Sequence, residues 1–299
     1  MKFDCLVIGG GPAGANAALV LGRAKLSVLL IDNLDARNKV THESHGFITN
    51  DSLPPQVIKE KGIYDLQKYS SITLREETVL SVKKINDGFH VETNKNVYYT
   101  QRLVLASGLK EQLPEIPGIT QVYGSHFFNC PFCDGWELKD KQIALITEQP
   151  QITHFVAMVS HWSRNLRIYT NGNLFDKNEK QILEERKIPI NEEKIHFIDS
   201  KDDKIAIHTP NSSLVFQGGF LMPTLTPRIN YLKNIPLDLT EFGRISTDSF
   251  GKTSYPNIYA AGDIQMIGGE QLVHAASSGS RTASVIVQEV ASKEFDNWF

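Results

Sequence analysis

Mostly apolar runs alternate with a helical pattern at the start of the chain. Residues Phe3 to Ile8 predict a buried strand, and the small residues from Ala13 to Ala24 predict a helix. A second apolar run, Leu26 to Ile31, is closed by Asp32. A strand, a helix and a second strand in this order predict a parallel, doubly wound sheet.

Later patterns divide the 299 residues into two units. Short strands follow one another up to Leu105, with a hairpin at Asn86-Asp87-Gly88. A second strand–helix–strand pattern runs from Gln142 to Thr170, and a closing helix is predicted from Gln271 to Val290. We therefore predict an α/β fold of two Rossmann-like, doubly wound domains, the second inserted in the first. The outer domain comprises residues 1–115 and 219–299, and the central domain comprises residues 116–218.

The composition is that of an ordinary globular enzyme, with 41% hydrophobic and 22% charged residues and a net charge of -3. Such a charge favours neither a nucleic acid nor an anionic membrane as a partner. No window reaches the roughly 18 apolar residues of a membrane helix. The short apolar start leads into Gly9-Gly10-Gly11-Pro12 instead of a cleavage site, so we predict a cytoplasmic location.

The turn after the first strand carries a glycine fingerprint, because residues Gly9 to Gly14 satisfy G-x-G-x-x-G. Gly9 permits the tight turn, Gly11 lets the backbone approach a pyrophosphate, and Gly14 lets the helix pack on the strand. Asp32 closes the second strand, where an acid that binds a ribose belongs. The register of these elements predicts a dinucleotide site. The alternative is a glycine-rich turn in a fold that binds no nucleotide.

Cys130 and Cys133 form a C-x-x-C pair in the central domain. A gap of two residues lets both sulfurs meet, so the pair can cycle between dithiol and disulfide. A position at a helix N-terminus lowers the thiol pKa toward neutrality. A zinc site would need about four ligands, and His126 adds only one to the two cysteines. A glutaredoxin-like motif is the other alternative, although it would open a small domain. Cys5 lies in the first strand and is predicted to be buried and inert.

Three motifs together resemble a known superfamily. Residues Gly9 to Gly14 near the start and Ala260-Ala261-Gly262-Asp263 near the end are similar to the two FAD-binding signatures of the pyridine-nucleotide disulfide oxidoreductases. The motif C-P-F-C-D-G-W-E at Cys130–Glu137, in the middle of the chain, resembles that of the low-molecular-weight thioredoxin reductases. The resemblance covers nearly the whole chain and implies that the outer domain binds FAD.

A further segment resembles the dithiol oxidases of gliotoxin and holomycin biosynthesis. These proteins share an R-N…S-H-G-F…D…P-P pattern after the second strand. Here the pattern reads Arg37-Asn38, Ser44-His45-Gly46-Phe47, Asp51 and Pro54-Pro55. The loop follows the ribose acid directly, so we expect it to line the flavin.

The resemblance also implies roles for single residues. Cys133 would face the flavin, Cys130 would be the outer thiol that exchanges with substrate, and Asp134 would be the acid/base residue. Asp263 would hold the ribityl chain, and Gln271 would lie near the isoalloxazine. The full set expected to bind FAD is Gly9, Gly11, Pro12, Ala13, Gly14, Asp32, Arg37, Asn38, His45, Gly108, Gly262, Asp263, Gln271 and Leu272.

The central domain departs from the pattern of a thioredoxin reductase, which needs a second glycine fingerprint for NADPH. The matching turn reads Thr147-Glu148-Gln149-Pro150 and contains no glycine. Each of its residues carries a Cβ that keeps the backbone off a pyrophosphate, and Pro150 has no N–H to donate. Glu148 would repel phosphate. Glu270 also stands where such reductases usually have an arginine. NADPH is therefore doubtful as a cofactor.

These observations predict an FAD-dependent thiol–disulfide oxidoreductase that oxidises a dithiol to a disulfide and passes the electrons to oxygen or another acceptor. A reductase fed by NADPH, or by a ferredoxin- or flavodoxin-type protein, is the rival enzyme. A non-catalytic FAD-binding redox sensor is the rival from another class. The expected partners are a small-molecule or peptide dithiol or disulfide and a redox protein, and no metal site is expected.

The C-terminal aromatics concern the assembly of the protein. Burial of Phe295, Trp298 and Phe299 would stabilise the protein by roughly 25 cal/mol per Å² of apolar area. They could pack on the chain's own surface. The other hypothesis is that they dock across the interface of a homodimer, which is the assembly we expect, and cover the flavin.

Overall fold

The computed structural model describes residues 2–266 and 268–298. Its larger sheet has seven strands, in the order β3-β2-β1-β6-β5-β4, with β17 paired to β6. Strands β1, β2, β3, β6 and β17 run parallel, and β4 and β5 add an antiparallel hairpin. The strands are β1 (Lys2–Ile8), β2 (Val28–Asp32), β3 (Ile72–Glu76), β4 (Val79–Ile85), β5 (Gly88–Thr93), β6 (Val97–Leu105) and β17 (Ile258–Ala260).

Two helices cover one face of this sheet, α1 (Pro12–Arg23) and α7 (Leu272–Asp296), and α2 (Pro55–Gln67) precedes β3. Ala17 and Leu21 of α1 share a buried apolar cluster with Ala283 and Ile286 of α7. Small residues let the two helices approach closely, which explains the alanine-rich sequence of α1. The closing helix ends at Asp296, six residues beyond the predicted Val290, because no glycine or proline occurs between these two positions.

A second, five-stranded parallel sheet forms the core of the central domain, in the order β11-β10-β9-β15-β8. The strands are β8 (Phe127–Phe128), β9 (Ile143–Ile146), β10 (Leu166–Tyr169), β11 (Ile190–Asn191) and β15 (Gly218–Leu221). Four helices accompany them: α3 (Ile119–Val122), α4 (Pro131–Asp134), α5 (Thr153–Val159) and α6 (Lys177–Glu185). The predicted fold class, two doubly wound domains of thioredoxin-reductase type, is confirmed.

Two antiparallel units complete the fold. The strands β12 (Phe197–Lys201), β13 (Lys204–Thr209) and β14 (Ser212–Phe216) form a small sheet. The strands β7 (Leu109–Gln112) and β16 (Thr224–Pro227) pair as a connector between the two large sheets. The predicted boundary between residues 218 and 219 falls inside β15, which belongs to the central sheet, so the chain returns to the outer domain through β16. The domain limits otherwise stay a prediction.

Phe295 and Trp298 do not pack on the chain's own core. Phe295 is 58% and Trp298 is 71% exposed, and their rings pack on each other at 5.3 Å. Phe299 lies outside the described residues. Within the described ranges, the helices include none that is long and apolar enough to cross a membrane.

Candidate active site

The glycine turn between β1 and α1 forms an open cradle. Gly9 has φ +106°, and a Cβ there would collide with the carbonyl of Ala106, so this position requires glycine. Gly11 has an ordinary φ of -69°, and nothing lies within 4 Å of where its Cβ would be. A side chain at Gly11 would therefore enter the open space that a ligand would occupy. The free N–H groups of the first turn of α1 face this space, as in anion sites at helix N-termini.

Asp32 ends β2 beside the cradle, at the position expected for a ribose-binding acid. One of its carboxylate oxygens lies 2.5 Å from Nζ of Lys59 on α2. Both side chains are largely buried, so the lysine neutralises the acid inside the cleft. Sequence reasoning missed Lys59, because nothing in the sequence of α2 indicates that this lysine faces Asp32.

Arg37 links Asp263 to the connector strand β7. Its Nη2 lies 2.9 Å from Oδ2 of Asp263, and its Nη1 lies 3.0 Å from Oε1 of Glu111. Burial opposes the charge of the Arg37 guanidinium, but the two carboxylates outweigh it and raise the pKa of Arg37. Glu111 also accepts hydrogen bonds of 2.8 Å from Tyr123 Oη and Asn129 Nδ2.

Glu111 is thus a largely buried carboxylate shared by three donors. Asn129 directly precedes Cys130, so Glu111 connects the loop after β2 to the segment that carries the dithiol. The sequence contains no motif that marks this residue, and sequence reasoning did not single it out.

Cys130 and Cys133 are joined by a disulfide, with their Cα atoms 5.3 Å apart. Cys130 is the N-cap of the short helix α4, and Cys133 lies in its first turn. Both are partly exposed. Cys5 differs in every respect: it is free and fully buried in β1, and burial raises the pKa of its thiol to about 12. The prediction that Cys5 is buried is confirmed.

Asp134 follows Cys133 at the end of α4. Burial raises the pKa of its carboxyl to about 7, with a further increase from the charge of Glu137 and a smaller decrease from His45. A carboxyl with a pKa near the working pH can both accept and return a proton. The expected acid/base residue therefore has the electrostatics that this role requires.

His45 lies among three carboxylates beside the dithiol segment. Its Nε2 is 3.7 Å from Glu43 and 3.8 Å from Glu137, and its Nδ1 is 3.8 Å from Asp51. We expect His45 to line the flavin, which requires it to lie at the wall of the cavity. In the structure His45 lies at that wall.

A single cavity of about 2230 Å³ connects the glycine turn, the loop after β2 and the disulfide. Every residue expected to bind FAD lines this cavity except Gly14, which is buried under the turn, and so do Cys130, Cys133 and Asp134. The volume exceeds the roughly 300–1,000 Å³ of a typical small-molecule pocket. The open cradle, the helix N-terminus and the two acids fit FAD, which would be held between Asp32 and Asp263.

The corresponding turn of the central domain is closed by its own side chains. After β9, Glu148 accepts a hydrogen bond of 2.7 Å from Nδ2 of Asn171, which follows β10. Asn171 Oδ1 in turn accepts the backbone N–H of Ile195 at 3.1 Å. Thr147 Oγ1 accepts the N–H of Gln149 at 3.0 Å. The ends of β9 and β10 are therefore tied together by polar groups that a nucleotide would otherwise engage.

Glu270, the residue at the usual position of an arginine, pairs with Arg244. The guanidinium Nη2 lies 3.3 Å from the Glu270 carboxylate, and the Arg244 side chain is only 8% exposed. Burial lowers the pKa of Arg244, although Glu270 and Asp263 oppose this effect. Both residues of this ion pair line the cofactor cavity.

The fold and the site define a two-domain flavoprotein oxidoreductase with a redox-active disulfide. Residues 3–279 match the pyridine nucleotide-disulphide oxidoreductase family, and the chain belongs to that family. Membership implies that it binds FAD and acts on sulfur groups. The resemblance to thioredoxin-reductase-like proteins of the gliotoxin and holomycin type is confirmed.

Two relatives and two solved structures illustrate the match. Thioredoxin reductase aclD of Aspergillus oryzae is 27% identical, with 98% of each chain covered. Thioredoxin reductase sirT of Leptosphaeria maculans is 29% identical over 94% of this chain and 92% of its own. The structure of Bacillus anthracis TrxB is 37% identical with a TM-score of 0.93 over 98% of this chain and 99% of its own. The structure of HlmI is 26% identical with a TM-score of 0.92 over 99% of this chain and 94% of its own.

Proposed function

We propose that this protein is an FAD-dependent dithiol oxidase that forms a disulfide in its substrate. The observation that carries this proposal is the closed turn at Thr147–Pro150, where Glu148 is bonded to Asn171. The cysteine pair and Asp134 are complete, whereas the place for a nicotinamide cofactor is filled by polar side chains. An enzyme with this arrangement takes electrons from a thiol substrate more readily than from NADPH.

The cysteines and Asp134 provide the exchange chemistry. A substrate thiolate attacks Sγ of Cys130, the disulfide opens, and Cys133 leaves as a thiolate. Asp134, with its pKa near 7, takes the proton of the attacking thiol. The second substrate thiol then gives up its proton to solvent and its sulfur attacks the mixed disulfide. The substrate is released as a disulfide, and Cys130 regains a proton from Asp134.

The electron pair must then leave the cysteines. FAD, held by the cavity residues between Asp32 and Asp263, would supply the acceptor for these two electrons, and dioxygen, the final oxidant, would leave as hydrogen peroxide with the two protons of the substrate. Loss of the electron pair would restore the Cys130–Cys133 disulfide. The balance is one dithiol and one dioxygen consumed, and one disulfide and one hydrogen peroxide formed.

Anaerobic mixing tests the proposal against the rival reductase. The oxidised protein is mixed with excess dithiothreitol and, separately, with NADPH, and the loss of the visible flavin band is followed. We expect the dithiol to bleach the flavin at least about a hundredfold faster than NADPH, since the turn at Thr147–Pro150 offers no glycine cradle to a pyrophosphate. Saturable, rapid bleaching by NADPH would refute the oxidase and favour the reductase.

Cys130→Ser is the control for the path of electrons. In this variant the dithiol should no longer bleach the flavin, because no disulfide is available for exchange. Bleaching at the unsubstituted rate would mean that dithiols reduce the flavin directly. Absence of bleaching by both reagents in the unsubstituted protein would favour the redox sensor.

A further inference from the structure

Arg244 is a buried cation with an unused donor in the wall of the cofactor cavity. Its side chain is 8% exposed and pairs through Nη2 with the Glu270 carboxylate at 3.3 Å. The other terminal nitrogen, Nη1, is buried as well, and among the described residues no acceptor lies within hydrogen-bond distance of it. A buried charged donor without a partner is costly, so such a group at a cavity wall indicates an acceptor that the chain does not supply.

A short turn fixes the backbone of Arg244 beside the second FAD signature. The N–H of Arg244 donates to Oγ1 of Thr240 at 3.1 Å, and its carbonyl accepts the N–H of Thr240 at 2.8 Å. The next residue, Ile245, is fully buried and donates its N–H to the carbonyl of Ile264 at 3.0 Å. Because Ile264 directly follows Asp263, Arg244 and Asp263 lie on adjacent segments of the cavity wall.

This part of the cavity wall is linked to the disulfide. Arg37 pairs with both Asp263 and Glu111, and Glu111 holds the residue that precedes the dithiol. The charge of Asp263 raises the pKa of Arg244 and that of Arg37 lowers it, so both groups lie near the guanidinium. Arg244 therefore lies on the side of the cavity that leads to the disulfide, where exchange of electrons with the cysteines requires the flavin ring.

The missing acceptor for Nη1 has the chemistry of the pyrimidine part of a flavin, which offers N1 and the C2 carbonyl. Reduction by two electrons and one proton adds one negative charge to the ring, chiefly at these atoms. A buried cation held in place by the protein stabilises such a developing charge without having to move. A charge near N1 is one of the means by which a protein tunes the potential of a flavin.

We propose that Arg244 donates a hydrogen bond from Nη1 to the pyrimidine part of the bound flavin and raises its reduction potential. Glu270 orients the guanidinium through Nη2 and offsets part of its charge, so the two residues have opposite effects on the potential. A higher potential favours the uptake of electrons from the cysteine pair. The inference concerns the flavin alone and holds for either direction of thiol–disulfide exchange.

The midpoint potential of the bound flavin tests the role of Arg244. It is measured in a Cys130→Ser/Cys133→Ser background, by slow anaerobic reduction with xanthine and xanthine oxidase beside a reference dye, so that the cysteines take up no electrons. Arg244→Gln should lower the equilibrium constant for reduction at least about tenfold, which is about 30 mV for a two-electron couple. Arg244→Lys keeps the charge and should show less than half of this shift. Glu270→Gln should shift the potential upward, and this second variant tests the proposal even if Arg244→Gln does not fold.

Arg167→Gln is the matched control, because Arg167 is a half-buried arginine of β10 outside the cavity. It should leave the equilibrium constant for reduction within about twofold. Titration of each apoprotein with FAD gives the affinity. Weaker FAD binding by Arg244→Gln with an unchanged potential would assign Nη1 to the phosphates or the ribityl chain and overturn the proposal, as would a downward shift in Glu270→Gln. A lower melting temperature with unchanged affinity and potential would also overturn it. Since no dithiol takes part, these results do not depend on whether the protein oxidises dithiols.

Discussion

Arg37 and Glu111 form an ion pair of 3.0 Å that joins the loop after β2 to the connector strand β7. Because Glu111 also holds Asn129, the residue before Cys130, the pair fixes the dithiol segment relative to the cofactor cavity. The same arginine pairs with Asp263 of the second FAD signature. One side chain therefore links that signature and the loop after β2 to the segment that carries the disulfide.

Glu111→Gln should destabilise the protein by about 2 kcal/mol, because Arg37 would lose one of its two carboxylates in a largely buried place. Thermal unfolding of the variant measures this loss. Asp87→Asn is the control, since Asp87 pairs with Lys2 at an exposed site and should leave the melting temperature unchanged. Equal melting temperatures for Glu111→Gln and the unsubstituted protein would contradict the role of Glu111.

Cys130→Ser should leave Cys133 free to form a long-wavelength charge-transfer band with oxidised flavin, since the inner thiolate is expected to face it. Cys133→Ser should abolish the band. Absorbance spectra of the two purified variants at equal FAD content make the comparison. A band in Cys133→Ser and none in Cys130→Ser would reverse the roles of the two cysteines.

Asp134→Asn should stabilise the protein at alkaline pH. The folded protein holds the Asp134 proton up to about pH 7, whereas the unfolded chain releases it at the ordinary pKa of 3.8. The free energy of unfolding therefore falls as pH rises from about 4 to about 7 and stays lower above that range. Asparagine cannot ionise, so we expect the melting temperature to rise by a few degrees at about pH 8 and to change little at about pH 4.

Asp140→Asn serves as the control for this pH dependence, because Asp140 is an exposed carboxylate in the same segment. Asp140→Asn should leave the difference in melting temperature between about pH 8 and about pH 4 as it is in the unsubstituted protein. The same Asp134→Asn protein should reduce its flavin with dithiols about a hundredfold more slowly, since it lacks the proton acceptor. A stabilisation that is equal at both pH values would exclude ionisation of Asp134 as its cause.

Gly11→Ala should yield a folded but colourless protein. Because nothing of the chain lies within 4 Å of the added methyl group, the apoprotein should unfold at the temperature of unsubstituted apoprotein. The methyl group would hold the pyrophosphate off the backbone, so FAD should be lost. Flavin absorbance and thermal unfolding after removal of FAD measure the two effects, and full retention of FAD would show that the cradle is not used.

Phe295→Ser/Trp298→Ser should weaken association into a dimer, since the two exposed rings would gain apolar burial only against a second surface. Light scattering at several protein concentrations measures the mass, and quenching of flavin fluorescence by iodide measures whether the flavin becomes exposed. Tyr64→Ser, which removes an equally exposed ring on α2, is the control. Unchanged mass and unchanged quenching would leave the rings without a role in assembly.

The elements with local sequence signals could be identified without the fold. The turn from Gly9 to Gly14, the strand ending at Asp32 and the pair Cys130–Cys133 were recognisable because their spacing is set by the geometry of one turn or one strand–helix unit. The absence of glycine from the turn Thr147–Pro150 could be recognised for the same reason.

The distant side chains that complete the site could be identified only from the assembled fold. Lys59 meets Asp32, Glu111 meets Arg37 and Asn129, and Asn171 fills the space beside Glu148, all between residues far apart in sequence. Such pairs leave no periodic pattern, because their members lie on different elements and meet only when the sheets and connector are assembled. The raised pKa of Asp134 has the same origin, since burial by surrounding elements is its main cause.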